Sequence, residues 1–231
     1  MNAPAPVLAP AGFLARLRSA GIEPGDNAEL QLTKSMLMLA TGLVTVATMI
    51  WVGIYQLLGL QFSATLPFAF QLLLVGNMLL YFRLRHFEFF RASQLGLFLF
   101  LPFVAQWTTG NVIDSSGVIL WSVIAPVGAM LCVGVRQSLG WFIAWVVLTA
   151  VSGAADYYLA DLLFAPKAVV PVRVSLVFFA LNFIAVVSII YALLFFAIEQ
   201  KRGIQERLEQ SRRQIEVAQA ATEKLFGSLL I

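Results

Sequence analysis

The chain has 231 residues, of which 60% are hydrophobic and 12% charged, with mean hydropathy +0.87 and a formal net charge of +3. Water-soluble chains carry about a quarter charged residues and roughly half apolar ones, so an aqueous globular enzyme is excluded. Its single cysteine, Cys132, lies in an apolar run and excludes an internal disulfide framework.

In chain order, an Ala- and Pro-rich start reads as a disordered tail. Phe13, Leu14 and Leu17, with Arg16 and Arg18 between them, predict a short amphipathic helix at a membrane interface. Gly21 and the Pro24-Gly25 pair break it. Asp26 reads as the next N-cap, with Glu29 as a loose capping-box partner. The helix that follows runs through Lys34, so residues 1–34 form a cytoplasmic N-terminal segment.

Six apolar stretches follow, at about 35–59, 63–82, 93–110, 117–134, 138–158 and 174–198. Each is near the ~20 residues that a helix needs to span a bilayer. None holds a basic residue, and the only acid is Asp156. Six crossings place 13 of the 15 basic residues on one side, leaving only Lys167 and Arg173 on the other. Basic loops stay in the cytoplasm, so both termini are predicted there. The basic excess is therefore topological. With no soluble basic face to carry it, nucleic-acid binding is not expected.

Polar side chains inside the stretches are Gln71, Asn77, Gln106, Thr108, Asp156 and Asn182. Such groups in lipid face a partner or water, and Gln71, Asn77, Gln106 and Asn182 read as helix-packing contacts. Asp114, Asp156 and Asp161, near Trp107 and Trp121, share the predicted outer rim. They are candidates for a cation or cationic ligand, against ordinary loop solvation. Pro102 and Pro126 predict kinks.

From residue 199 onward the chain is polar and free of proline. Ile204, Leu208, Ser211, Ile215, Ala218, Thr222, Leu225 and Leu229 step alternately by four and three, which is a heptad seam. Ser211, Ala218 and Thr222 weaken it, as suits a signalling linker better than a pure stability element. Residues 199–231 are thus predicted to form a cytoplasmic parallel coiled coil in a homodimer.

Catalytic motifs are absent. The one histidine, His86, sits in the basic loop over 83–91, and no lysine follows a P-loop glycine pattern. No catalytic residue, metal site or cofactor is expected in this chain. A transporter would call for inverted repeats and ionisable groups at mid-membrane, and neither stands out.

Several pieces together carry a family resemblance: Gly21-Ile22-Glu23-Pro24-Gly25-Asp26, Leu101-Pro102-Phe103 with Gln106-Trp107, and Val118-Ile119-Leu120-Trp121 with Ala125-Pro126. Phe178-Phe179-Ala180-Leu181-Asn182 and Gln200-Lys201-Arg202 add to it. With these the chain resembles the six-helix membrane part of bacterial class III adenylate/guanylate cyclases. In that family the exit helix leads to a segment reading roughly Glu-x-Leu-Leu-Leu-Asn-Ile-Leu-Pro, and residues 223–231 stand in its place. Ser228 replaces the asparagine and Ile231 the proline.

The resemblance implies an inner-membrane anchor, dimeriser and receptor for a class III cyclase. The enzyme would make cyclic AMP and pyrophosphate from ATP, with Mg or Mn held only by a catalytic domain beyond Ile231. Histidine kinases and diguanylate cyclases hang from similar sensors, and a small transporter is the further alternative. The expected fold is an all-α integral membrane bundle of six helices continuing into the coiled coil.

Overall fold

The computed structural model describes Gly12, Arg16, Leu17 and residues 19–58, 61–163 and 171–229, with backbone only at 61–65, 159–163 and 220–229. Among the described residues there is no strand. Among the described residues, helical Arg16, Leu17 and Ser19 are followed by six α-helices: α1 (Ala28–Leu57), α2 (Gln61–Leu84), α3 (Phe87–Thr109), α4 (Ile124–Cys132), α5 (Val135–Leu163) and α6 (Val172–Leu229). A 3-10 segment, Val118–Val123, leads into α4.

Among the described residues, α1, α2, α3, α5 and α6 are long and apolar enough to cross a membrane. They turn large side chains such as Leu72, Leu79, Ile143, Val147 and Phe183 outward. In water such a surface would aggregate; in lipid it costs nothing. The protein is a membrane-embedded helical bundle.

The fourth expected crossing comes out shorter than the sequence suggests. Val118–Cys132 is roughly 25 Å long at the standard rises of its two parts, against a hydrocarbon core of about 30 Å. Ser116 and Gly117 have left-handed backbones, with φ of 55° and 69°, which start the chain at an angle. Pro126 lacks an N–H and is accommodated without loss of a hydrogen bond in the first turn of a helix. The α-helix therefore begins at Ile124, and the preceding turn closes as 3-10.

The start of α1 also differs from expectation. Asn27, not Asp26, is the N-cap: its Oδ1 accepts from Leu30 N–H at 2.8 Å. Asp26 turns inward instead. Of the predicted N-terminal helix, Phe13 and Leu14 lie outside the described residues, while Arg16 and Leu17 are helical.

The chain divides into two compact units, Met1–Leu193 and Leu194–Ile231. In the first, α3 is the hub, packing on α2, the 3-10 segment, α4 and α5, while α1 packs on α2 and α4. Leu95, Phe98, Leu99 and Phe103 of α3 are all buried. The second unit is helical and, from Gln205 to Gln219, exposed throughout.

Candidate functional site

Three polar regions stand out in the first unit. One sits at the N-terminal end of α1. Lys34, only 4% exposed, donates to Asp26 Oδ2 at 2.8 Å, and the same oxygen accepts from Glu23 N–H at 2.7 Å. The backbone bond first, and then the lysine, hold the Asp26 carboxyl below its ordinary range. Tyr81 donates from its hydroxyl to Gly21 C=O at 2.9 Å and stacks on Phe90 at 4.7 Å. A Cβ on Gly21 would stand 2.6 Å from the Tyr81 ring, and one on Gly42 would run into Leu17. Both glycines thus let the N-terminal segment lie flat against α1 and α2.

A chain of hydrogen bonds crosses the bundle interior. Thr45 donates to Thr41 C=O, and Gln71 Nε2 donates to Thr45 Oγ1. Gln94 Nε2 donates to Thr41 Oγ1, Asn77 Nδ2 to Gln94 Oε1, and Ser93 to Asn77 Oδ1. These bonds join α1, α2 and α3. They give Asn77 partners for both ends of its amide, and Gln71 a partner for its nitrogen.

The third region lies around the turn after α3. Asp156 Oδ2 accepts from Gln106 Nε2 at 3.2 Å and from Val112 N–H at 2.9 Å. Asn182 accepts from Trp121 Nε1 at 2.9 Å and donates to Ser116 C=O at 2.8 Å. Trp107 donates to Ser152. Asp156 and Asn182 thereby pin this turn to α5 and α6.

The expected cation rim is only partly visible. Asp114 is exposed on the turn, Asp156 faces inward onto its two donors, and the Asp161 side chain lies outside the described residues. Among the described residues no three His, Cys, Asp or Glu side chains gather as metal ligands. Of the seam, Leu208 is 60% and Ile215 57% exposed. The side chains of Thr222, Leu225 and Leu229 lie outside the described residues.

Next to the hydrogen-bonded chain is a cavity of about 100 Å³ between α1, α2, α3 and the 3-10 segment. Trp51, Gln71, Phe98, Pro102 and Trp121 are among its walls. A smaller space of about 50 Å³ shares Tyr55, Pro67, Ala105 and Val118 with it and reaches Asp114 and Ser115. Thr41, Thr45, Gln94 and Trp51 were not singled out from the sequence. The i, i+4 threonine pair on α1, read with Gln71 and Gln94 on later apolar helices, is the signal that points to the interior chain.

No protein-family model, curated protein or solved structure matches the chain.

Proposed function

We propose that the chain is the membrane anchor, dimeriser and sensor part of a bacterial signalling enzyme of the class III cyclase type. In this reading both termini are cytoplasmic, and Val118–Cys132 counts as the fourth of six crossings, short but spanning. The signal leaves through the second half of α6, wound in parallel with its copy. The conversion of ATP to cyclic AMP and pyrophosphate belongs to a domain outside these residues.

The observation that carries the reading is α6 itself. It is a single helix from Val172 to Leu229, through an apolar stretch and then a charged one. Leu208 and Ile215, one heptad apart, are exposed in the single chain, as seam residues awaiting a second copy would be. Ser211 and Ala218 leave the seam loosely packed. A loose seam admits two registers, which a signal from the membrane part can bias.

The test is a fusion. The chain is joined at Ile231 to a soluble class III catalytic domain, and cyclic AMP production is followed in membranes. The fusion is expected to be active, and L208D together with I215D to lower activity at least tenfold. Full activity with both aspartates overturns the reading. Reporters active only outside the cytoplasm should be silent at residues 88 and 205 and active near 114 and 165.

A further inference from the structure

Trp51 and Gln71 both line the cavity beside α2, and each has a buried polar atom, Trp51 Nε1 and Gln71 Oε1, with no hydrogen-bond partner among the described residues. Gln71 is only 1% exposed. Its amide orientation is fixed by its neighbour: Thr45 spends its hydroxyl hydrogen on Thr41 C=O, so it can only accept from Gln71 Nε2. The oxygen is thereby left over. Trp51 differs from Trp107, Trp121 and Trp145, each of which donates its indole N–H to a side-chain oxygen. Leaving such a group unpaired in a buried place is costly, because it has given up its hydrogen bonds to water. Two in the walls of one cavity call for an occupant that is both acceptor and donor.

The remaining walls set the rest of its chemistry. They are mostly hydrocarbon and aromatic, including Phe70, Leu74, Phe98 and Leu101, and no carboxylate or cationic side chain is among them. An ion is disfavoured there. The other polar residues in the walls are Thr48, Tyr55 and Asn182, so water is the occupant that a ligand must displace. Proline occurs in both α2 and α3 at this level, since Pro67 and Pro102 both line the cavity. Each removes a backbone donor and spreads the packing of its helix.

We propose that this cavity binds a small neutral amphiphile whose polar end accepts from Trp51 Nε1 and donates to Gln71 Oε1. A hydroxyl is the smallest group that does both, so the ligand class is a short-chain or aromatic alcohol. The hydrocarbon part fills the space among Phe70, Phe98 and Pro102. The site stands on the cavity and needs no signalling role for α6.

The experiment uses the full chain in lipid nanodiscs, with fluorinated hexanol followed by ¹⁹F NMR. Bilayer concentrations are set against empty nanodiscs. A saturable bound signal is expected, displaced by n-hexanol. Methyl pentyl ether, which accepts but cannot donate, should compete about three- to tenfold less well, as one lost hydrogen bond dictates. Hexane should be weaker again by a similar factor. Gln71→Leu should erase the gap between alcohol and ether, and Trp51→Phe the gap between ether and hexane.

Equal competition by hexanol and hexane overturns the proposal, leaving an unselective apolar gap. No saturable signal also overturns it, leaving water as the occupant. If either variant fails to fold, the wild-type order of the three competitors still decides.

Discussion

The two ends of the α1–α2–α3 packing are built on opposite plans. At the Lys34 end the charge is paired and the rings are packed: Lys34 meets Asp26, Tyr81 stacks on Phe90, and Lys34 lies 5.7 Å from the Phe87 ring centre. Around Gln71 and Trp51 the contacts are neutral amides, hydroxyls and indoles, and a cavity lies among them with two unpaired polar atoms on its wall residues. The contrast follows from cost. A buried charge without its partner is far dearer than a buried amide without one, so the charged end must be over-determined. The neutral end tolerates incompleteness, and that is where an adaptable site can be kept.

The sharpest way to break this contrast is to remove one charge. Asp26→Ala leaves Lys34 buried and unpaired and removes the acceptor for Glu23 N–H. The expected loss is about 3 kcal/mol, the low end for a broken buried ion pair, read as a drop in thermal unfolding temperature in detergent. Adding Lys34→Met should restore most of it, because the double variant buries no charge. If the single variant melts like wild type, the Lys34 end is not held by its ion pair.

Gly21→Ala tests the same end by shape. Gly21 has φ of 83°, where an L side chain is strained, and its new Cβ would meet the Tyr81 ring. Loss of the fit should cost about 1–2 kcal/mol and speed proteolysis of the segment before Asp26. Gly25, whose Cβ would meet nothing, is the control. Similar effects at both glycines would mean that the segment does not lie against Tyr81.

How far this was legible follows the physics of each part. Apolar length is a strong signal, so five of the six expected stretches return as long helices with ends shifted by several residues. The fourth returns as the shorter helical segment Val118–Cys132, because hydropathy cannot see that Ser116 and Gly117 turn the backbone or that the turn before Ile124 closes as 3-10. Asp26 looked like a cap because Asp and Asn are equally good ones; only the fold shows Lys34 two turns later claiming the carboxylate. Asn182 and Gln71 could be picked out as polar residues in apolar runs. Their partners could not, since Trp121 and Thr45 lie 61 and 26 residues away in sequence.

A smaller effect is expected from the interior chain. Gln94→Leu removes one donor to Thr41 and one acceptor for Asn77, yet leaves no charge exposed. Side-chain hydrogen bonds between membrane helices average well under 2 kcal/mol, so a loss of about 1 kcal/mol is expected in reversible unfolding in mixed micelles. A loss as large as that of Asp26→Ala would erase the distinction between the two ends.

The smallest effect is that of pH, and its sign can be worked out. The Asp26 carboxyl is held below its ordinary value of 3.8. A group with a lowered folded pKa contributes its stability in full above the unfolded value and loses it as pH falls through the folded one. From about pH 5 to pH 9 the contribution of Asp26 is therefore constant, and it fades only in stronger acid. The Glu23 amide, which donates to Asp26, reports this directly. Its hydrogen-exchange protection, corrected for the intrinsic rate, should be flat across the neutral range and fall below pH 3.8. A midpoint near pH 6 would mean that another titrating group controls the N-terminal segment, and that the charged end of the bundle is adjustable after all.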